Sequence, residues 1–191
     1  MLPPDVKVTT RLLWMGALIF ALIDAGFVPL LAWRIKRAGF RQLKWTLVIT
    51  TAIFWGSLWK WVITNFWESV YHYVFPAWTY RLIPPFMCLL FATLALLFWW
   101  MALRLPGHVV TNFCFLGGLS GMITHIWAVF RGILDKPPML QGSAPVAAVV
   151  IAIFEYVFYW CIILSVAWLV YSTQHWLRRL KPGPYASSLF P

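Results

Sequence analysis

The stretch Lys44–Pro76, KWTLVITTAIFWGSLWKWVITNFWESVYHYVFP, begins as an apolar run long enough to enter a bilayer. It then carries polar side chains at a regular four-residue spacing, at Lys60, Thr64, Glu68 and His72. Residues four apart lie one above another on a helix, so these four predict a single polar stripe. A charge near the bilayer centre costs roughly 2.5–3.5 kcal/mol. We therefore expect the stripe to face other helices or a wet cavity.

The composition of the whole chain predicts an integral membrane protein with a single domain over residues 1–191. The sequence is 62% hydrophobic and only 10% charged, whereas a soluble domain has roughly 25% charged residues. Its formal net charge of +10 comes from Lys and Arg that flank the apolar runs. That placement favours contact with anionic lipid headgroups and argues against a nucleic-acid partner.

The apolar runs predict an all-α bundle of five transmembrane helices. The predicted spans are residues 12–33, 45–67, 84–103, 109–130 and 146–171, and a basic tail follows over 172–191. Residues 1–10 are expected to form a short polar lead. Small residues in the fourth span, at Gly117, Gly118, Ser120 and Gly121, predict the closest helix packing of the bundle.

The distribution of basic residues predicts the orientation. With Lys60 left out, nine Lys and Arg fall on the side of the first connector and the C-terminus, and five fall on the other side. By the positive-inside rule, the N-terminus is expected outside and the C-terminus in the cytoplasm. The first connector, RIKRAGFRQLKW, is expected to lie at the membrane interface with Phe40 and Trp45 as anchors.

Acidic residues are scarce, and most of them fall in apolar surroundings. Of the five, Asp24 and Glu155 lie inside predicted spans and Glu68 lies at the end of one. Ionisable groups inside a membrane mark functional sites by default. Counting about 1.5 Å per residue places Asp24 near mid-membrane, and Glu68, His125 and Glu155 in the outer half. We predict these four as the catalytic set, lining one cavity that opens outward.

The chemistry that such a set supports is proton transfer to an apolar substrate. A carboxyl group in apolar surroundings favours its neutral form, which can donate a proton to an alkene or an epoxide. Aromatic faces would stabilise the carbocation that results. Aromatic side chains near the acids predict such a substrate-binding wall: Trp67, Tyr71, Trp127, Tyr156, Tyr159 and Trp160.

Structural roles compete with this interpretation. Glu68 can pair with Lys60 or His72 at the interface, Asp24 can hydrogen-bond a neighbouring helix, and a single His125 is more often a satisfied polar residue than a ligand. Three cysteines inside apolar runs are typical of small buried hydrophobic residues.

Metal binding is the weaker alternative, and no cofactor is predicted. Glu68 and His72 have i, i+4 spacing suited to two metal ligands, with His125 or Glu155 as a third. Four histidines on two sides of the membrane argue against two bis-His haems, while pigment binding through one axial His stays open.

One short stretch resembles a known family. Trp67-Glu68-Ser69-Val70-Tyr71, with Asn65 before it and Pro76 after it, resembles the N…WE..Y motif of the integral-membrane terpene cyclases of fungal meroterpenoid pathways. The resemblance implies that Glu68 and Glu155 protonate an epoxidised isoprenoid without metal, and that Asn65 contributes to the substrate site. That family typically has seven spans. The span layout is also similar to that of the sterol-isomerase (emopamil-binding) superfamily.

The functional expectation is a membrane enzyme that cyclises or isomerises an isoprenoid or sterol-like lipid by acid catalysis. Its partners would be this apolar substrate and membrane lipids, with partner subunits or self-association left open. The competing class is a non-catalytic accessory subunit of a larger membrane complex, binding pigment or lipid. A small transporter or receptor for an apolar ligand is a third class, although five spans offer no inverted repeat.

Overall fold

The computed structural model describes residues 4–66, 79–130 and 144–180. Six helices make up this part of the chain: α1 (Pro4–Arg34), α2 (Arg37–Gln42), α3 (Lys44–Phe66), α4 (Ile83–Arg104), α5 (Val109–Phe130) and α6 (Ala144–Leu180). No strand occurs within these ranges, so the predicted all-α class is confirmed. Five of the helices, all except α2, are long and apolar enough to cross a membrane. The protein is a multi-pass membrane protein.

Two helices extend beyond the predicted spans. α1 begins at Pro4, within the segment expected to be a polar lead, because proline is well suited to the first helical position and nothing after it breaks the helix. α6 continues to Leu180, nine residues into the predicted tail. The sequence STQHWLRRL contains neither Gly nor Pro, so the helix has no reason to end at the membrane boundary.

α5 and α6 form the centre of the bundle. Half of the apolar window of α5 is buried, whereas the corresponding windows of α1, α3 and α4 are only 17–22% buried. α6 packs extensively on both α1 and α5, and α3 packs mainly on α4. α6 therefore joins α1 and α5, which pack on it directly, to the α3–α4 pair, which it contacts through α3.

The glycines of α5 permit its close approach to α6. A methyl group added at Gly117 would lie 2.2 Å from Cδ1 of Trp160, and one at Gly121 would lie 2.6 Å from Cγ of Tyr156. At Gly118 the nearest atom, on Val157, would be 2.8 Å away. These distances leave no room for a side chain. The predicted small-residue packing face is where α5 and α6 meet.

The first connector packs against the bundle through one of its aromatic rings. It contains α2, whose Phe40 is completely buried and packs edge-on against Phe113, with ring centroids 5.7 Å apart. The Trp99 indole N–H donates a hydrogen bond to the Phe40 carbonyl oxygen at 3.1 Å. The expectation that Phe40 anchors the interface was therefore wrong, because this ring gains more by completing the core. Trp45 remains exposed.

The part of the predicted polar stripe that the structure describes, at Lys60 and Thr64, does not face the bundle. Lys60 and Thr64 are exposed, and the Thr64 hydroxyl donates to the Lys60 carbonyl oxygen at 2.8 Å. The neighbouring Ile63 is buried in their place. Lys60 lies close to the end of α3, where a long side chain can reach the interface and needs no polar cavity. Glu68 and His72 lie outside the described residues.

Replacement of Gly117 tests the α5–α6 contact. We expect Gly117→Ala to lower the free energy of unfolding by about 1–2 kcal/mol, because overpacking costs typically 1–3 kcal/mol and alanine's better helix propensity returns up to about 1 kcal/mol. The matched control is Gly26→Ala, since a methyl group at Gly26 meets nothing within 4 Å. Unfolding in detergent would be measured for both. Equal stability of the two variants would contradict this account of the packing.

Candidate functional site

The best-defined polar pair inside the bundle is formed by Glu155 and Tyr159 of α6. The two residues lie one helical turn apart, and the Tyr159 hydroxyl donates a hydrogen bond to Oε1 of Glu155. Both side chains are partly buried. Because the donor comes from the same helix, the pair does not depend on the placement of any neighbour. Glu155 is thus an acid held in apolar surroundings with one oxygen satisfied.

His125 of α5 lies beside this pair. Its Nδ1 is 3.2 Å from the Gly121 carbonyl oxygen, and its ring meets that of Tyr156 edge-on, with centroids 6.1 Å apart. Glu155 is close enough to act electrostatically on the imidazole. A carbonyl oxygen only accepts, so Nδ1 carries the proton of this bond. In the neutral ring, Nε2 is then an acceptor that can take up a further proton.

Aromatic rings from three helices enclose the inner side of the pair. We call Phe54, Trp55, Phe91, Tyr156 and Tyr159 the aromatic cluster. Trp55 of α3 stacks on Phe91 of α4, with centroids 3.9 Å apart and the planes 9° from parallel. Trp55 also lies 5.2 Å from the ring of Tyr156 and 5.8 Å, edge-on, from that of Tyr159. Several aromatic faces of the cluster therefore lie close to Glu155, either on Tyr159 itself or on rings that pack against it.

Asp24 occupies a separate position. Its side chain is 6% exposed, and neither carboxyl oxygen has a hydrogen-bond partner within the described part of the chain. Phe20 and Phe27, on either side of it in α1, both pack against Phe158 of α6. The group lies within electrostatic range of Cys114, whose Sγ is 3.5 Å from Sγ of Cys161. No described contact joins Asp24 to Glu155.

The other predicted site residues are dispersed. Trp160, the residue after Tyr159 on α6, is completely buried, edge-on to Phe113 and in contact with Gly117. Its ring centroid lies 6.4 Å from that of Phe91, a member of the aromatic cluster. Asn65 is exposed and donates to the Trp61 carbonyl oxygen of its own helix at 2.7 Å.

Trp127 is half exposed on the outer face of α5. The structure brings together Glu155, His125, Tyr156 and Tyr159 from the predicted set. Three further predicted residues, Trp67, Glu68 and Tyr71, lie outside the described ranges.

The sequence prediction missed Phe54, Trp55 and Phe91. All three lie inside apolar spans with no polar residue beside them, and a chain with 14 Trp and 15 Phe offers many equivalent candidates. Only the packing of α3 and α4 distinguishes them.

Metal ligation receives no support from the described residues, among which no three His, Cys, Asp or Glu side chains come together. Of the predicted alternative ligands, His125 and Glu155 lie inside the described ranges, whereas Glu68 and His72 do not.

A groove with a volume of about 420 Å³ runs between α3 and α6. It touches the aromatic cluster at Phe54, and its lining does not include the acids.

Comparison with known proteins gives no match: no family model, curated protein or solved structure is similar to this chain. The functional argument therefore depends on the geometry of the chain itself.

The contrast between the two buried acids is testable by near-isosteric substitution. We expect Asp24→Leu to raise the free energy of unfolding by about 1–3 kcal/mol, because an unpaired buried polar group costs that much. Glu155→Met should instead destabilise the fold, since it leaves the Tyr159 hydroxyl without its acceptor. Unfolding in detergent measures both. Destabilisation by Asp24→Leu would show that Asp24 has a partner from a ligand, a water molecule or another chain.

Proposed function

We propose that the protein is an integral membrane enzyme in which Glu155 donates a proton to an isoprenoid or sterol-like lipid and so initiates its cyclisation or isomerisation. The observation that carries the proposal is the Glu155–Tyr159 pair set against the aromatic cluster. It combines a proton donor, a hydrogen-bond donor for the resulting carboxylate, and π faces for a cation. Those are the three groups that this chemistry needs.

The proton-transfer step uses Glu155 and Tyr159 together. The Glu155 proton adds to the oxygen of a terminal epoxide, whose C–O bond then breaks, or to one carbon of an alkene. In either case the charge passes to a substrate carbon as a carbocation. The carboxylate that remains is stabilised by the Tyr159 hydroxyl, because a hydrogen bond to an ionised acceptor is about twice as strong as a neutral one. The tyrosine thus favours the charge-separated state over the starting state.

The cation is stabilised by rings from three helices. Trp55 is fixed by its stack on Phe91, and Tyr156 and Tyr159 lie against it at fixed angles. Preorganised groups of this kind cost no rearrangement when the charge forms. An alkene of the substrate attacks the cation in a cyclisation, and loss of a proton completes either reaction.

His125 is the proposed acceptor of that last proton. Its neutral ring has a free acceptor nitrogen when Nδ1 donates to Gly121, and Glu155 lies within electrostatic range. Passing the proton back to Glu155 restores the starting state. Asp24 has no described contact with the group and takes no step in this scheme. Glu68, the acid of the motif-like stretch, remains a second candidate donor.

The test uses solvent deuterium to trace the donated proton. Purified protein in lipid vesicles is incubated in D₂O with squalene-type terminal epoxides and with unsaturated sterols, and the products are analysed by mass spectrometry. We expect isomerised sterol that carries deuterium on carbon. Opening of an epoxide places the label on a hydroxyl that exchanges, so that reaction is followed by the cyclised product itself. Glu155→Gln should lower turnover by at least about a hundredfold, because general acid catalysis contributes typically 10²–10⁴-fold. Tyr159→Phe should lower it less.

Tyr171→Phe is the matched control. Tyr171 lies on the same helix and also donates from its hydroxyl to a side chain, that of Gln42, but it lies far from Glu155. It should retain full turnover. Full turnover by Glu155→Gln would contradict the role of Glu155 in the proposal. Stoichiometric partner subunits in protein from the source membrane, without turnover of either substrate class, would favour the accessory-subunit alternative.

A further inference from the structure

The end of the bundle that carries α2 is strongly basic, and we call it the basic end. It contains the C-terminal ends of α1, α4 and α6 together with α2 and the start of α3. The described Lys and Arg there are Arg34, Lys36, Arg37, Arg41, Lys44, Arg104, Arg178 and Arg179. No Asp or Glu lies near them in the described part of the chain, so no carboxylate side chain of these residues neutralises the charges.

Part of this charge is held in place by contacts within the fold. The Arg37 guanidinium donates to the Leu103 carbonyl oxygen, and the Arg104 guanidinium stacks over Trp100 at 5.4 Å. Lys44 lies over the rings of Trp45 and Trp99 at 4.7 and 5.5 Å. Arg41 and Arg178 are exposed. These two remain on the surface for a ligand on the α3–α6 side.

The groove between α3 and α6 opens toward this same end. Along its length it is lined by aliphatic side chains, including Ile49, Ile53, Ile163 and Val166. Its polar lining residues are Thr46 and Gln174, which lie toward the basic end, and Thr50, which lies between Ile49 and Ile53. From Ile162 to Gln174 the groove follows twelve residues of α6, or about 18 Å of helix. The groove is therefore polar at its basic end and mainly apolar along the rest of its length.

The positions of the flanking residues bring positive charge to the polar mouth. Arg178 lies one turn beyond Gln174 on α6, and residues four apart share a helix face. On the other wall, Gln42 accepts a hydrogen bond from Tyr171, which fixes the end of α2 against α6. Arg41 is the residue next to Gln42 in the chain. The mouth is thus lined by the hydroxyl of Thr46 and the amide of Gln174. Arg178 lies one turn beyond it on α6, and Arg41 lies on α2, which Gln42 attaches to α6.

We infer that this groove binds one anionic glycerophospholipid of the membrane. One acyl chain lies along the aliphatic walls toward Phe54, and the phosphate lies at the mouth, where Gln174 and Thr46 offer hydrogen bonds and Arg41 and Arg178 offer charge. A guanidinium suits phosphate because it can donate two parallel hydrogen bonds. The volume of about 420 Å³ is within the range of ligand sites, about 300–1,000 Å³. The inference does not depend on the proposed catalytic activity.

The test counts lipids that stay bound after delipidation. The full chain is reconstituted in nanodiscs containing equal amounts of phosphatidylglycerol and phosphatidylcholine of the same acyl composition, extracted in mild detergent, and analysed by native mass spectrometry. We expect one phosphatidylglycerol to be retained, with at least about a tenfold preference over phosphatidylcholine. Val166→Trp, which fills the groove, should abolish retention. Arg178→Gln should reduce the preference several-fold while one lipid can still bind.

Each variant has a control of equal exposure away from the groove. Leu97→Trp on α4 matches Val166→Trp, because the two native side chains are 45% and 43% exposed. Arg104→Gln matches Arg178→Gln, and both controls should retain lipid as the native chain does. The inference would be overturned if Val166→Trp retained the lipid or if the two phospholipids bound equally. It would also be overturned if protein from its source membrane held a neutral isoprenoid, or a second copy of the chain, in the groove.

Discussion

The contact between the glycines of α5 and the aromatic residues of α6 determines the rest of the bundle. In a bilayer there is no hydrophobic force to bring helices together, so association depends on close packing. Gly117 and Gly121 allow the α5 backbone to lie directly against Trp160 and Tyr156. Those two rings then form the surface on which Phe91 and Trp55 pack. The α3–α4 pair is positioned through aromatic side chains that the glycines of another helix hold in place.

The same dense packing leaves several polar atoms without partners. Both carboxyl oxygens of Asp24 and the indole nitrogens of Trp55 and Trp160 are buried and unpaired within the described residues. Each such group costs of order 1–3 kcal/mol. For the two tryptophans, the large apolar surface of the ring offsets this cost. Asp24 has no large apolar surface to offset the cost, so the packing does not explain why a carboxyl group is buried there.

Sequence patterns predicted the features that depend on composition. They failed for features that depend on which face of a helix packs against the bundle. Five spans, their approximate positions and the glycine face of α5 follow from apolar length and from small residues at helical spacing. The burial of Phe40 could not be predicted, because it requires α2 to fold back against Phe113. The exposure of Lys60 likewise depends on how α3 is rotated about its axis. The candidate site shows the same division. Glu155 could be predicted because acidic residues are scarce in this chain, whereas nothing in the sequence distinguishes Trp55 from the other tryptophans, fourteen in all.

The separation of charge along the bundle is consistent with both proposals. Glu155 lies 23 residues before Arg178 on one continuous helix, which is about 35 Å. The cations of the basic end are therefore too far from Glu155 to form an ion pair with it. Lys60, on the exposed face of α3, is directed toward the surface. The basic end can thus offer its charge to anionic headgroups while Glu155 keeps Tyr159 of its own helix as a hydrogen-bond donor.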